Sequence, residues 1–208
     1  MNGKSILGAA VAALLAFPVL AEVTGEYVFE TSPIKDSSGS GHEPKTQPRK
    51  EAFVKEDGIS GIRMEKGDGV RLPFDAFPGN SGQMDCELKV ESVSEPRHLL
   101  IVYGKGDVMA FLVRRGAVEV RYMHRGGDGK WVTGKRIPLP TDKSVKLSIS
   151  WTLPGKIAVS VDGEAKGETA VAEAGGFDPG SVVFIGSNQR NELVFPGVIR
   201  SVKFSYKD

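Results

Sequence analysis

The chain reads as an all-β protein, a sandwich of two antiparallel sheets. Three observations point there. Beyond residue 21 the apolar residues come in short runs, alternating or continuous, and none sustains a helical period over several turns. Gly, Pro, Asn and Asp punctuate those runs along the whole length. Gly126-Gly-Asp-Gly129 and Pro154-Gly155 fall between apolar runs, and their residues suit the tight turns that antiparallel neighbours require. No repeat of solenoid or propeller period is visible, so a single closed sandwich is the simplest architecture.

The elements follow in order. Early strands are expected over Glu26–Phe29, Ala52–Val54, Gly61–Met64 and Gly69–Leu72. Gln83–Val90 alternates cleanly, with Met84, Cys86, Leu88 and Val90 on one face. His98–Tyr103 and Val108–Val113 are short, largely apolar runs, and Ala117–Met123 alternates again. Lys130–Ile137 follows the glycine turn, then Val145–Leu153, Lys156–Val161, Val182–Gly186 and Val198–Tyr206. Two stretches resist assignment. Pro33–Lys50 has loop composition and too little apolar content for a core, so it is expected to cross the surface. Glu164–Gly180, rich in Ala, Gly and Glu, suits a short helical turn or a loose edge strand equally well.

The first 21 residues stand apart. A basic start at Lys4, an apolar run from Ile6 to Leu20 and small residues before Glu22 have the organisation of a cleavable secretory signal peptide. The run is shorter than the roughly 20 residues a bilayer-spanning helix needs. The expected division is therefore a leader at 1–21 and one domain at 22–208, secreted or periplasmic, with no integral membrane segment after cleavage. Loss of Lys4 with the leader leaves basic and acidic side chains in equal number. Such a balance argues against nucleic acid or an anionic membrane as a bulk electrostatic partner. The sole cysteine, Cys86, excludes an intrachain disulfide and shares the parity of a core face, which makes it a buried small apolar residue rather than an activated thiol.

The C-terminal third carries a family likeness. Ile149-Ser-Trp151, Val159-Ser-Val-Asp-Gly163, Ile185-Gly186 and Phe195-Pro-Gly-Val-Ile199 follow one another, and Val202, Phe204 and Tyr206 continue the last strand. Tyr27-Val-Phe29, Asp36-Ser-Ser-Gly39 and Asp57-Gly with Gly69-Val-Arg-Leu72 precede them. This order resembles the laminin G-like branch of the concanavalin A-like lectin/glucanase superfamily. The resemblance implies a two-sheet antiparallel jelly-roll sandwich, concanavalin A-like, on a scaffold that carries lectins, glycosidases, lyases and spacers alike. Some relatives hold a structural calcium, but Arg200 stands where the family often has Asp, and Asp36 and Asp208 read as turn residues. No metal and no cofactor are expected.

Catalysis on this scaffold would need paired carboxylates across a sugar bond. Asp85 and Glu87 share one strand face, but Lys89 occupies the place of a third acid, and Glu91 lies about 13 Å along the strand from Glu87. His42, His98 and His124 are scattered, and no nucleophile elbow, zinc-binding helix motif or phosphate loop occurs. Binding asks for less. Trp151 has core parity with Val145, Leu147 and Ile149, whereas Trp131 shares the polar side of its strand with Thr133 and Lys135. Beside Trp131 the turn offers His124, Arg125 and Asp128, and the partner strand Glu119 and Arg121. The candidate ligand-binding set is Trp131, Arg125, Asp128, His124, Asn188 and Arg190, the last two from a polar loop. The expected function is an exported non-catalytic module recognising carbohydrate of the envelope or extracellular matrix. A glycoside hydrolase or polysaccharide lyase using Asp85 and Glu87, and a structural or protein-binding envelope protein, are the alternatives, so the expected partner is carbohydrate or a cell-surface protein.

Overall fold

Two antiparallel sheets lie face to face in the computed structural model, which describes residues 22–56 and 58–206. The expected leader, Asp57 and Asp208 lie outside the described residues. The first sheet contains β1 (Val23–Val28), β2 (Phe53–Glu56), β3 (Ile59–Ile62), β5 (Ser81–Val90), β11 (Val145–Thr152), β12 (Gly155–Val161), β13 (Glu164–Val171) and β15 (Gly197–Tyr206). Its order is β13-β12-β11-β5-β15-β3-β2, with β1 also paired to β15. The second contains β4 (Val70–Leu72), β6 (Arg97–Tyr103), β7 (Asp107–Arg114), β8 (Ala117–His124), β9 (Trp131–Thr133), β10 (Ile137–Pro138) and β14 (Val182–Ile185). Here the order is β10-β8-β7-β6-β14-β4, with β9 added to β8. This is a jelly-roll-type β-sandwich, as the sequence predicts.

The core fills the space between the sheets. Met84, Cys86 and Leu88 of β5 and Leu147, Ile149 and Trp151 of β11 belong to one buried cluster with Met109, Phe111, Val120 and Tyr122 of the second sheet. Phe77 stacks on Trp151 with ring centroids 5.2 Å apart, and Trp151 Nε1 donates to the Gly79 carbonyl at 2.9 Å, so its one polar atom is satisfied inside. Burial pushes the Cys86 thiol well above its ordinary pKa, with the Asp85 carboxylate adding to the effect, so the side chain behaves as a small apolar filler.

Three local details go beyond the sequence reading or correct it. The stretch expected as one strand over Lys130–Ile137 is two short pieces, β9 and β10, that pair with opposite ends of β8. Gly134 bends the chain between them, its amide donating to the Val120 carbonyl, and a side chain there would collide with Thr169. Glu164–Gly180 resolves into an eight-residue edge strand followed by a loop. Most of β13 is exposed on both sides, which is why no alternation marked it. The Pro33–Lys50 crossing runs over the surface but buries Ile34, whose backbone N–H and C=O are both bonded by the Gln47 amide.

Candidate functional site

The outer face of the second sheet is unusual because it too is apolar. In β7 every residue from Asp107 to Val113 is buried. Met109, Phe111 and Val113 face the sandwich core, while Val108, Ala110 and Leu112 join Ile101 and Phe184 in a separate cluster on the other side. Strand register sets the layout of that outer face. One row runs Val182, Tyr103, Val108, Met123, Trp131, and the next runs Phe184, Ile101, Ala110, Arg121, Thr133. A third, about 7 Å further along the strands, contains His98, Leu112 and Glu119.

Ala110 is the smallest side chain at the centre of this grid, and the surface dips there. The result is an open cleft of about 450 Å³, floored by Ile101, Val108, Ala110 and Leu112 and walled by Trp131, Tyr103, Arg121 and Arg125, with Arg97, His98 and Leu193 at the far end. Its size and its apolar floor with a few polar groups at the edge match small-ligand sites in general. Trp131 stands 43% exposed, so its ring is available.

Electrostatics at the cleft are set by arginines. Glu119, almost fully buried, takes Arg121 Nε at 2.5 Å and Arg136 Nε at 3.0 Å. Burial alone would raise its carboxyl, but the hydrogen bonds and charges of Arg136 and Arg121 outweigh this and hold it below the usual range. Burial raises the Tyr103 phenol, and the nearby charges of Arg125 and Arg190 oppose the rise. His98 is buried against Leu112 and is pushed down to about 4, mainly by burial, with Arg121 adding to it against the Leu193 carbonyl. It is therefore a neutral imidazole at ordinary pH, and its Nδ1 has no hydrogen-bond partner among the described residues.

The expected site residues divide into two groups. Trp131 and Arg125 line the cleft together with Arg121. His124 instead points to the opposite face of β8, where Nδ1 donates to the buried Asp107 carboxylate at 2.8 Å. Asp128 sits at the exposed turn tip and accepts from the Lys130 amide at 2.9 Å, which with the Lys130 ammonium keeps its carboxyl low. Asn188 Oδ1 accepts from the Arg190 and Glu192 amides at 3.0 and 2.8 Å, shaping the loop that delivers Leu193 to the cleft. Arg190 is exposed and does not line the cleft. Sequence reasoning missed His98, Tyr103, Leu193 and the whole floor. The unbroken apolar run of β7 was the available signal, because a strand with only one buried face alternates.

Asp85 and Glu87 lie on the outer face of the first sheet in a shallower polar hollow. Both Glu87 oxygens accept from Arg200 Nη1 at 3.0 and 3.1 Å, and Asp85 accepts from Gln83 at 2.9 Å and from the Ser148 hydroxyl. Arg200 thus serves as the counter-charge to Glu87. Among the described residues no group of three or more His, Cys, Asp or Glu side chains is placed to hold a metal ion, and no helix is long and apolar enough to cross a membrane.

No protein-family model and no curated protein sequence matches the chain. Solved structures do. Domain 4 of AbnA, a GH43 extracellular arabinanase from Geobacillus stearothermophilus solved in complex with arabinotriose, is similar at a TM-score of 0.68 and 17% identity, over 89% of this chain and 93% of that one. The receptor binding domain of botulinum neurotoxin D is similar at 0.67 and 11%, over 90% of this chain and 50% of that one. The binding domain of Paraclostridial Mosquitocidal Protein 1 follows at 0.63 and 12%, over 89% and 48%. The chain therefore spans about half the length of these two toxin chains. At such identities the likeness shows a shared β-sandwich fold.

Proposed function

We propose that this chain is an exported, non-catalytic recognition module of the concanavalin A-like, laminin G-like type, and that it binds carbohydrate of the envelope or extracellular matrix in the outer cleft of the second sheet. The observation that carries this reading is the exposed Trp131 ring at the wall of an apolar-floored cleft edged by Arg121 and Arg125. A sugar presents a C–H face that packs on such a ring, while its hydroxyls accept from guanidinium groups. Domain 4 of the arabinanase, which shares the fold, was solved with a bound trisaccharide. Hydrolysis is less well supported, because Glu87 is engaged by Arg200 and Asp85 by Gln83 and Ser148.

A second reading, recognition of a cell-surface protein, is favoured by one feature. The aliphatic floor of Ile101, Val108, Ala110 and Leu112 would accept an apolar side chain as readily as a sugar face. Glycan-array binding followed by calorimetry on hits separates the two. Trp131→Ala, with the fold checked by circular dichroism, is expected to weaken binding on the order of tenfold or more, since stacking contacts of this kind are worth about 1 to 3 kcal/mol. Unchanged glycan affinity in that variant removes the cleft as the site.

A further inference from the structure

We propose that the ligand of the cleft is an acidic glycan, one whose sugar carries a carboxylate that is received by the guanidinium group of Arg125. This inference rests on the carbohydrate reading above and sharpens it to a chemical class.

The argument is one of charge placement. The chain as a whole is balanced, with 27 basic and 26 acidic residues, so nothing in its composition favours anions. The cleft is not balanced. Arg97, Arg121 and Arg125 line it against the single carboxylate of Glu95. Glu119, on the same sheet face, is shared between Arg121 and Arg136, so one carboxylate serves two guanidinium groups. Arg97 and Arg125 have no ion-pair partner among the described residues, and the charge of Arg190 reaches Tyr103 at the same end as Arg125. An Arg side chain without a carboxylate partner, at the edge of a low-dielectric floor, suits a planar bidentate anion better than a hydroxyl.

Two further features fit an acidic sugar. His98 is more than nine-tenths buried at the far end of the cleft, neutral, and carries an unpartnered Nδ1, so that end holds a polar group without a protein partner but adds no negative charge. The floor between the arginines is aliphatic and carries no carboxylate of its own to repel a bound anion. Arg121, already engaged by Glu119, is held in place as a fixed donor in the middle row rather than as a free charge.

The test is calorimetry on the whole protein with a panel of uronate oligosaccharides, each beside its methyl ester, which keeps the sugar and removes the charge. At least one uronate should bind on the order of tenfold more tightly than its ester at low salt, with the preference shrinking as salt is raised. Arg125→Gln should erase most of that preference while the fold persists, since this side chain has no partner to lose. Ala110→Leu, which fills the dip from the outside, should abolish binding of acid and ester alike. Equal binding of acid and ester, or binding only of neutral glycans, overturns the acidic assignment and leaves the carbohydrate reading standing. Binding of no glycan overturns both. A preference that survives Arg125→Gln, or acid binding that survives Ala110→Leu, places the recognition elsewhere and also overturns the proposal.

Discussion

Replacing Asp107 should unfasten the end of the sandwich that presents the cleft. This carboxylate is completely buried at the head of β7, beside the floor residue Val108. It accepts from the Tyr122 hydroxyl, from His124 Nδ1 at 2.8 Å, and from the amides of Gly175 and Gly176 at 3.2 and 2.5 Å. Three pieces of chain meet on it: β7, the end of β8 that leads to Arg125, and the loop after β13. Burial, reinforced by Asp107, pushes the Tyr122 phenol well above its ordinary pKa, as a donor to a buried anion should be.

Asp107→Ala leaves the Tyr122 hydroxyl and two backbone amides without an acceptor inside the protein, and each such orphan costs about 1 to 3 kcal/mol. Relaxation and entering water recover part of that. A net loss of about 3 to 5 kcal/mol is expected, the range found when a buried charged network loses one partner. For a chain of this size such a loss lowers Tm by on the order of 10 °C. Asp107→Asn keeps the shape and one acceptor oxygen, and should cost about half as much. Urea unfolding followed by tryptophan fluorescence measures both, and hydrogen exchange at Gly175 and Gly176 locates the damage. If Asp107→Ala stays within about 1 kcal/mol of the parent, or those amides remain protected, the clasp does not hold the loop to the sheets.

Other expectations follow from the same geometry. The two tryptophans should behave oppositely: Trp151→Ala, emptying a site stacked on Phe77, should cost about 3 to 5 kcal/mol, whereas Trp131→Ala should cost under about 1 kcal/mol, and equal unfolding midpoints would contradict that division. His98 has a folded pKa near 4 against an ordinary 6.5, so as pH falls the unfolded chain takes up the proton first. Its contribution is thus complete above about pH 6.5 and fades down to about pH 4, by roughly 3 kcal/mol; His98→Leu should flatten that part of the stability profile, and an imidazole resonance titrating near 6.5 would refute it. Gly197 has φ of +136° and a Cβ there would collide with the Lys89 carbonyl, so Gly197→Ala should cost about 2 kcal/mol or more by thermal melting. A melting point unchanged in that variant would mean that β15 can slide on β5.

Much of this molecule was decided by local pattern. Alternation in Gln83–Val90 and Val145–Leu153 placed Cys86 and Trp151 inside and put Asp85 and Glu87 outside, because a strand's side chains can only alternate between its two faces. The glycine turn and the polar parity of Trp131 located one wall of the cleft in the same way. Parity could not say which residues come from distant strands. His98, Tyr103 and Leu193 join Trp131 only through the pairing of β6, β7 and β8 and the loop that Asn188 shapes, contacts separated by tens of residues in the chain. Sequence proximity also misled. His124 and Arg125 are neighbours, yet successive side chains leave opposite faces, so one closes the Asp107 clasp and the other borders the cleft. Fold class and inward faces are properties of each strand alone, whereas the dip at Ala110 and the gathering of arginines around it exist only when several strands lie side by side.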